Sequence, residues 1–373
     1  MDNFIVSARK YRPATFSTVV GQDSLITTLK NAIIKKQLAQ AYLFCGPRGV
    51  GKTTCARIFA KTINCLNPTP EMEACGECES CKAFAEQRSF NIHELDAASN
   101  NSVDGIRNLI EQVRVPPQIG KYSVYIIDEV HMLSSQAFNS FLKTLEEPPA
   151  HAIFILATTE KHKIIPTILS RCQIYDFNRI KVEDIVKYLE GIAKNEDVAY
   201  ELEGLNIIAQ KADGAMRDAL SIFDQIVSYS DNNIAYQKVI ENLNVLDFQY
   251  YFTLTEHFLA GDFAATLKVY DELLSKGFDN QQFITGMSNH LRNLLICKDP
   301  QTAQLLEVGT AIAERYIKFA TECTTDFLVK ALDIINQADV TYKQSSNQRL
   351  HLELMLIRLC GINQEKKKTS LSG

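Results

Sequence analysis

Gly46-Pro47-Arg48-Gly49-Val50-Gly51-Lys52-Thr53 is the stretch on which the reading of this chain turns. Glycines spaced through it let successive backbone N–H groups face an anion, Lys52 can reach terminal phosphates, and the Thr53 hydroxyl can ligate magnesium. The apolar run AYLFC (41–45) leads in, and a helical pattern over 53–64 leads out through Thr54. Strand, loop and helix is the order a phosphate-cradling loop requires. The stretch therefore predicts a nucleotide site, with residues 46–54 against the phosphates.

Two more near-continuous apolar runs follow, SVYIID (123–128) and AIFILATT (152–159), and both read as buried parallel strands. Helical patterns over 103–113 and 136–145 lie between them, so the first half is an α/β fold with a parallel sheet. The second of these helices must stop at Glu146-Glu147-Pro148-Pro149, because proline cannot extend it. After residue 178 the strand signal vanishes. Helical spacing recurs at 182–195, 205–212 and 216–229, then a polar connector (230–237), then a long helical pattern over 250–360. The expected organisation is a P-loop ATPase domain (1–178) carrying a cysteine-rich insertion (65–81), a small helical lid (179–242), an all-α domain (243–362) and a polar, flexible tail or cut point (363–373).

Hydrolysis needs an acid to hold the metal and a base beside it. Asp128 and Glu129 end the second apolar run where both can reach the phosphates, with Asp128 expected on magnesium and Glu129 as the base. Thr159 ends the third run, where a hydroxyl can orient the attacking water. Arg171 in Ser170-Arg171-Cys172 is expected at a helix end, either completing a neighbour's site or sitting in a surface ion pair. Cys65, Cys75, Cys78 and Cys81 can converge as a closed tetrahedral thiolate site, for which zinc is the expected metal and an iron–sulfur cluster the rival. The remaining six cysteines lie in apolar patterns and read as small buried residues.

Composition bounds these readings. The chain has 373 residues, enough for two or three cores, and its net charge of -5 supplies no global basic field for nucleic acid. No apolar stretch approaches the roughly 20 residues that cross a bilayer, and the N-terminus lacks a signal peptide's apolar segment. A cytoplasmic protein with no membrane contact is expected, its cysteines reduced or metal-bound.

Taken together, ARKYRPATFSTVVGQ (8–22), GPRGVGKTT (46–54), the cysteine insertion, ELDAASN (94–100), IIDEVHMLSSQAFNSFLKTLEEPP (126–149), ATTE (157–160), ILSRCQ (168–173) and GAMRDALS (214–221) resemble one family. It is the motor subunit, gamma or tau, of the bacterial DNA polymerase III clamp loader, a member of the AAA+ ATPases. The resemblance implies that the N-terminal segment closes over adenine, through Arg12, Pro13, Val19 and Val20. It implies that Thr159 is a first sensor, that Arg217 is a second sensor reaching the phosphate in the same subunit, and that Arg171 is a finger acting in the next subunit's site. It further implies ATP, Mg2+ and structural Zn2+ as cofactors, and a collar in the third domain holding five subunits in a ring. The partners implied are delta, delta-prime and further copies of the chain, the sliding clamp and primed DNA. Polymerase and helicase are engaged by longer, tau-type chains. Asn100, Asn101 and Ser102 stand where relatives often carry basic residues, so any DNA grip is expected to rest elsewhere, with Arg107, Arg114 and Lys143 as candidates.

Two other classes compete. A small-molecule phosphotransferase would use the same loop but needs an acceptor pocket, for which no motif is found. Another DNA-acting ring ATPase, a helicase or remodeller, shares the chemistry; the cysteine insertion and Ser-Arg-Cys favour clamp loading.

Overall fold

The computed structural model describes residues 5–100, 103–117, 120–243, 245–306 and 308–369. Five parallel strands form one sheet: β1 (Ala41–Cys45), β2 (Ile92–Asp96), β3 (Ser123–Asp128), β4 (Ala152–Thr158) and β5 (Gln173–Asp176), in the order β2-β3-β4-β1-β5. The three central strands are the three apolar runs. Each is covered on both faces, and alternate residues feed two cores. Tyr42 and Phe44 pack with Phe16, Phe59 and Phe177 on one face, while Leu43 packs with Tyr125, Phe141 and Phe154 on the other.

The helices of this part are α1 (Ser7–Lys10), α2 (Asp23–Ile34), α3 (Lys52–Ile63), α4 (Glu79–Ala85), α5 (Val103–Val113), α6 (Ser135–Glu146) and α7 (Pro166–Leu169). Ser134 caps α6 by accepting the Ala137 N–H, and Pro148 and Pro149 follow its end. Further along come α8 (Val182–Asn195), α9 (Leu202–Lys211) and α10 (Met216–Ser230).

The chain divides into two compact units, Met1–Val198 with Ile208–Ser228, and Ala199–Ile207 with Tyr229–Gly373. These limits differ from the expected domain limits at 178/179 and 242/243. In the second unit the connector over 230–237 is not plain loop: β6 (Ala199–Tyr200) pairs in parallel with β7 (Asn233–Ile234), and α11 (Tyr236–Asn242) begins inside it. The rest is helical: α12 (Phe248–Ala260), α13 (Phe263–Ser275), α14 (Asn280–Ile296), α15 (Thr310–Ala320), α16 (Thr325–Tyr342) and α17 (Gln348–Thr369). Side chains of Asp247, Asp262, Asp279 and Thr324 cap α12, α13, α14 and α16, which fixes where each begins. Their apolar faces close on a core that includes Phe252, Phe258, Tyr270 and Tyr316. Helix α17 carries residues 363–369, which polarity had assigned to the tail; residues 370–373 lie outside the described residues, as do Asn101 and Ser102. Among the described residues no helix is long and apolar enough to cross a membrane.

Candidate nucleotide site and four-cysteine loop

The loop after β1 is held open by its glycines. Gly46 has φ +149°, and a Cβ there would sit 2.5 Å from the Phe177 carbonyl oxygen; Gly49 has φ +79°, and a Cβ there would sit 2.9 Å from the Ala215 Cβ. Only glycine fits either place without displacement. Pro47 and Arg48 form the outer part of the loop, and Val50 is driven into the core with 1% exposure. Gly51, also at positive φ, opens α3, so Lys52, Thr53 and Thr54 form its first turn, where unpaired N–H groups and the helix dipole favour an anion.

Lys52 is nearly buried, and its Nζ donates to the carbonyls of Gly46 and Pro47, each at 2.8 Å. Burial pulls its ammonium below the ordinary value, while Glu129 and Asp128 pull the other way. The Thr53 hydroxyl donates to Asp128 Oδ2 at 2.6 Å, so two magnesium-type ligands already meet. Glu129 stands in the left-handed region at φ +47°, a strained place for a non-glycine residue. That turn sends its carboxylate to the end of β4, where Oε2 accepts the Thr159 N–H at 3.2 Å and the Thr159 hydroxyl at 2.9 Å.

The entry segment runs beside this loop. Ser7 N–H donates to Asp224 (2.7 Å), Tyr188 donates to the Tyr11 carbonyl (2.6 Å), and Gln22 exchanges two hydrogen bonds with the Asn178 backbone. Arg12 lies within electrostatic reach of Arg57, Glu94, Arg217 and Asp128; desolvation lowers its pKa, Arg57 adds to that and Glu94 opposes it. Val19 is buried in the same core cluster as Val50, with Pro13 and Val20 half-buried. From α10, Arg217 donates its N–H to the Gly49 carbonyl (3.4 Å) and exposes its side chain. Arg171 follows the end of α7, where its guanidinium reaches Glu146 Oε1 and the Thr167 carbonyl, both at 2.7 Å. Within this chain it is thus engaged in the ion pair that was the plainer of its two readings.

Some residues of the site carried no sequence signal. His131 is nearly buried, with Nδ1 3.0 Å from Thr158 Oγ1 and 3.4 Å from Glu129 Oε2, and Nε2 3.7 Å from Glu160. Glu94 takes Arg57 through both oxygens at 2.6 Å. Glu73, in the cysteine loop, accepts the N–H groups of Phe16 (2.8 Å) and Ser17 (3.0 Å) and pairs with Lys30 (2.8 Å). An acid in a loop, here with Glu71 two positions away, looks like any solvated charge until the fold brings its partners to it.

Cys65, Cys75, Cys78 and Cys81 do converge. Their sulfurs all lie within 4.8 Å of one another, and Cys65 to Cys75, Cys65 to Cys78 and Cys75 to Cys81 measure 3.5, 4.0 and 4.0 Å. Four sulfurs about 2.3 Å from a common centre, arranged tetrahedrally, stand about 3.8 Å apart. The donor set fits a closed metal site. Backbone N–H groups of Cys78 and Glu77 hold the Cys75 thiol below its ordinary pKa, while burial pushes the Cys65 and Cys81 thiols up, so the donor geometry and not the acidity carries the fit. As expected, Cys45, Cys55, Cys297, Cys323 and Cys360 are buried; Cys172 is half-buried.

Known proteins give this geometry a context. Residues 21–181 match the family model for the DNA polymerase III delta subunit, residues 184–232 the clamp loader subunit ATPase lid domain, and residues 234–372 domain III of DNA polymerase III subunits gamma and tau. The tau subunit of Bacillus subtilis is 40% identical over 352 residues, 94% of this chain and 62% of that one. The tau subunit of Escherichia coli is 39% identical over 295 residues, 78% of this chain and 45% of that one. The gamma subunit of Buchnera aphidicola subsp. Schizaphis graminum is 36% identical over 79% of this chain and 81% of its own. The chain thus spans 62% and 45% of the two tau relatives but 81% of the gamma relative. Three family models in succession and a relative matched along most of both lengths establish that the chain belongs to the gamma/tau family of DNA polymerase III clamp-loader subunits.

Proposed function

We propose that this chain is the ATP-hydrolysing motor of a replicative clamp loader, which opens a sliding clamp and loads it onto primed DNA. The observation that supports this most is the meeting of Thr53 with Asp128 beside the Glu129–Thr159 pair. In this reading residues Gly46, Pro47, Arg48, Gly49, Val50, Gly51, Lys52, Thr53 and Thr54 cradle the phosphates. Lys52 exchanges its carbonyl partners for phosphate oxygens. Thr53 and Asp128 hold magnesium, which would neutralise charge on the β- and γ-phosphates. Glu129 takes a proton from water as the water oxygen bonds to the γ-phosphorus; the bond to the bridging oxygen breaks and ADP keeps its electrons. Thr159 orients that water. Arg12, Pro13, Val19 and Val20 wall the adenine, and Arg217 reaches the phosphate from the lid. Arg171 leaves Glu146 to serve the next subunit's site.

The site of one chain is then incomplete, and the product is a change of affinity: with the γ-phosphate gone, its contacts to finger and lid are released. Cys65, Cys75, Cys78 and Cys81 would hold zinc, which would supply a structural cross-link and no catalytic chemistry. The partners are delta, delta-prime and further copies in a five-membered ring joined through the all-α domain, in the bacterial cytoplasm. Combining the chain with its cognate partner subunits, clamp and primed DNA should give ATP turnover that rises with DNA and clamp, together with loaded clamps. Turnover indifferent to both, with no clamp loaded, defeats the proposal.

A further inference from the structure

The cysteine loop does more than close on a metal. Its turn is built by Thr69, whose hydroxyl accepts the Glu73 N–H at 3.2 Å while its own N–H donates to the Glu73 carbonyl at 2.9 Å. Glu73 therefore has a fixed backbone, two residues from Cys75. It is 8% exposed, and its carboxylate spends both oxygens outside the loop: Oε2 on Phe16, Oε1 on Ser17 and on the Lys30 ammonium. A buried carboxylate with three donors is costly to leave half-satisfied, so wherever Glu73 goes the segment around Phe16 must follow.

Other hydrogen bonds tie that segment near its ends, at Ser7 and Tyr11 on one side and Gln22 on the other, while Phe16 and Val19 pack into the core between them. Between those ties lie Arg12, within electrostatic reach of Asp128 and Arg217, and Val19, in one cluster with Val50. We propose that Glu73 is a positioning residue through which the four-cysteine loop sets the base-side wall of the nucleotide site. Metal binding at Cys65, Cys75, Cys78 and Cys81 fixes the loop, the loop fixes Glu73, and Glu73 fixes Phe16 and Ser17 so that the residues on either side face the base. This rests on the reading of segment 12–20 as the adenine wall.

The test compares ATP with inorganic tripolyphosphate, which engages the phosphate loop but has no base. Affinities for both, and hydrogen exchange at the Phe16 and Ser17 amides, are measured in the full chain, in Glu73→Ala, in Glu73→Gln, and in each after chelation checked by metal analysis. Losing charge-assisted hydrogen bonds should weaken ATP about tenfold in Glu73→Ala and leave tripolyphosphate within about twofold. Glu73→Gln, which keeps one acceptor oxygen, should fall between. Chelation should reproduce the loss in the parent and add nothing to Glu73→Ala. Equal losses for ATP and tripolyphosphate overturn the proposal, as does amide protection unchanged in Glu73→Ala. Lost protection with unchanged ATP affinity overturns it through the adenine-wall reading instead, so the two failures are distinguishable.

Discussion

The phosphate loop (46–53) and the cysteine loop (65–81) are irregular segments of one compact unit, yet they are stabilised in opposite ways. The first is braced from outside: β1 and α3 fix its ends, Val50 anchors it in the core, and neighbours press on Gly46 and Gly49. The second is braced from within, by four sulfurs and a turn, and reaches outward through Glu73. A loop that must greet a transient ligand cannot depend on that ligand for its shape. One whose donors fit a resident ion can depend on that ion.

The largest expected effect breaks the first kind of bracing at its function. Lys52→Ala should abolish ATP binding, or at least hydrolysis, by 100-fold or more on the roughly 2–4 kcal/mol scale of a lost electrostatic stabiliser, with little change in melting temperature. Equilibrium binding and turnover assays check it; wild-type turnover would remove Lys52 from the site. Next comes the second kind of bracing. Cys78→Ser should cost the bound metal and open residues 65–81 to protease, while the sheet keeps its fold. One zinc per chain by metal analysis is the expected content of the parent, and iron in its place would overturn the assignment.

Gly49→Ala sharpens the contrast by making the phosphate loop strained in its own shape. A Cβ at φ +79° against Ala215 should cost about 1–3 kcal/mol and weaken nucleotide binding even though no ligand group is removed. A melting temperature equal to the parent's would mean the loop yields freely. The smallest effect concerns the base. His131→Ala should reduce turnover by roughly tenfold with ATP affinity nearly unchanged, since it touches Thr158 and Glu129 and not the phosphate loop. A loss of affinity matching the loss of turnover would place His131 in binding instead.

The same contrast explains what was legible in the sequence. Strands β1, β3 and β4 announced themselves because both faces are buried, which demands an apolar residue at nearly every position. Edge strands β2 (IHELD) and β5 (QIYD) gave no such run, since of their residues only Ile92 and Tyr175 are buried. Lys52, Thr53, Asp128 and the four cysteines were readable because their chemistry needs fixed spacing. Glu73 and His131 were not: the first acts 57 residues away, and the second is set by the left-handed turn at Glu129, to which no spacing pointed.

The Arg171–Glu146 pair carries a last consequence. Both side chains are partly solvent-exposed, 33% and 49%, and such pairs contribute about 0–1 kcal/mol. Glu146 therefore works as a rest and not as a lock: it keeps a long, flexible cation in few conformations while yielding it to any stronger anion nearby. If Arg171 serves a neighbouring site as proposed, part of its ordering entropy is already spent before the two subunits meet, and the pairing costs less than with a freely moving side chain.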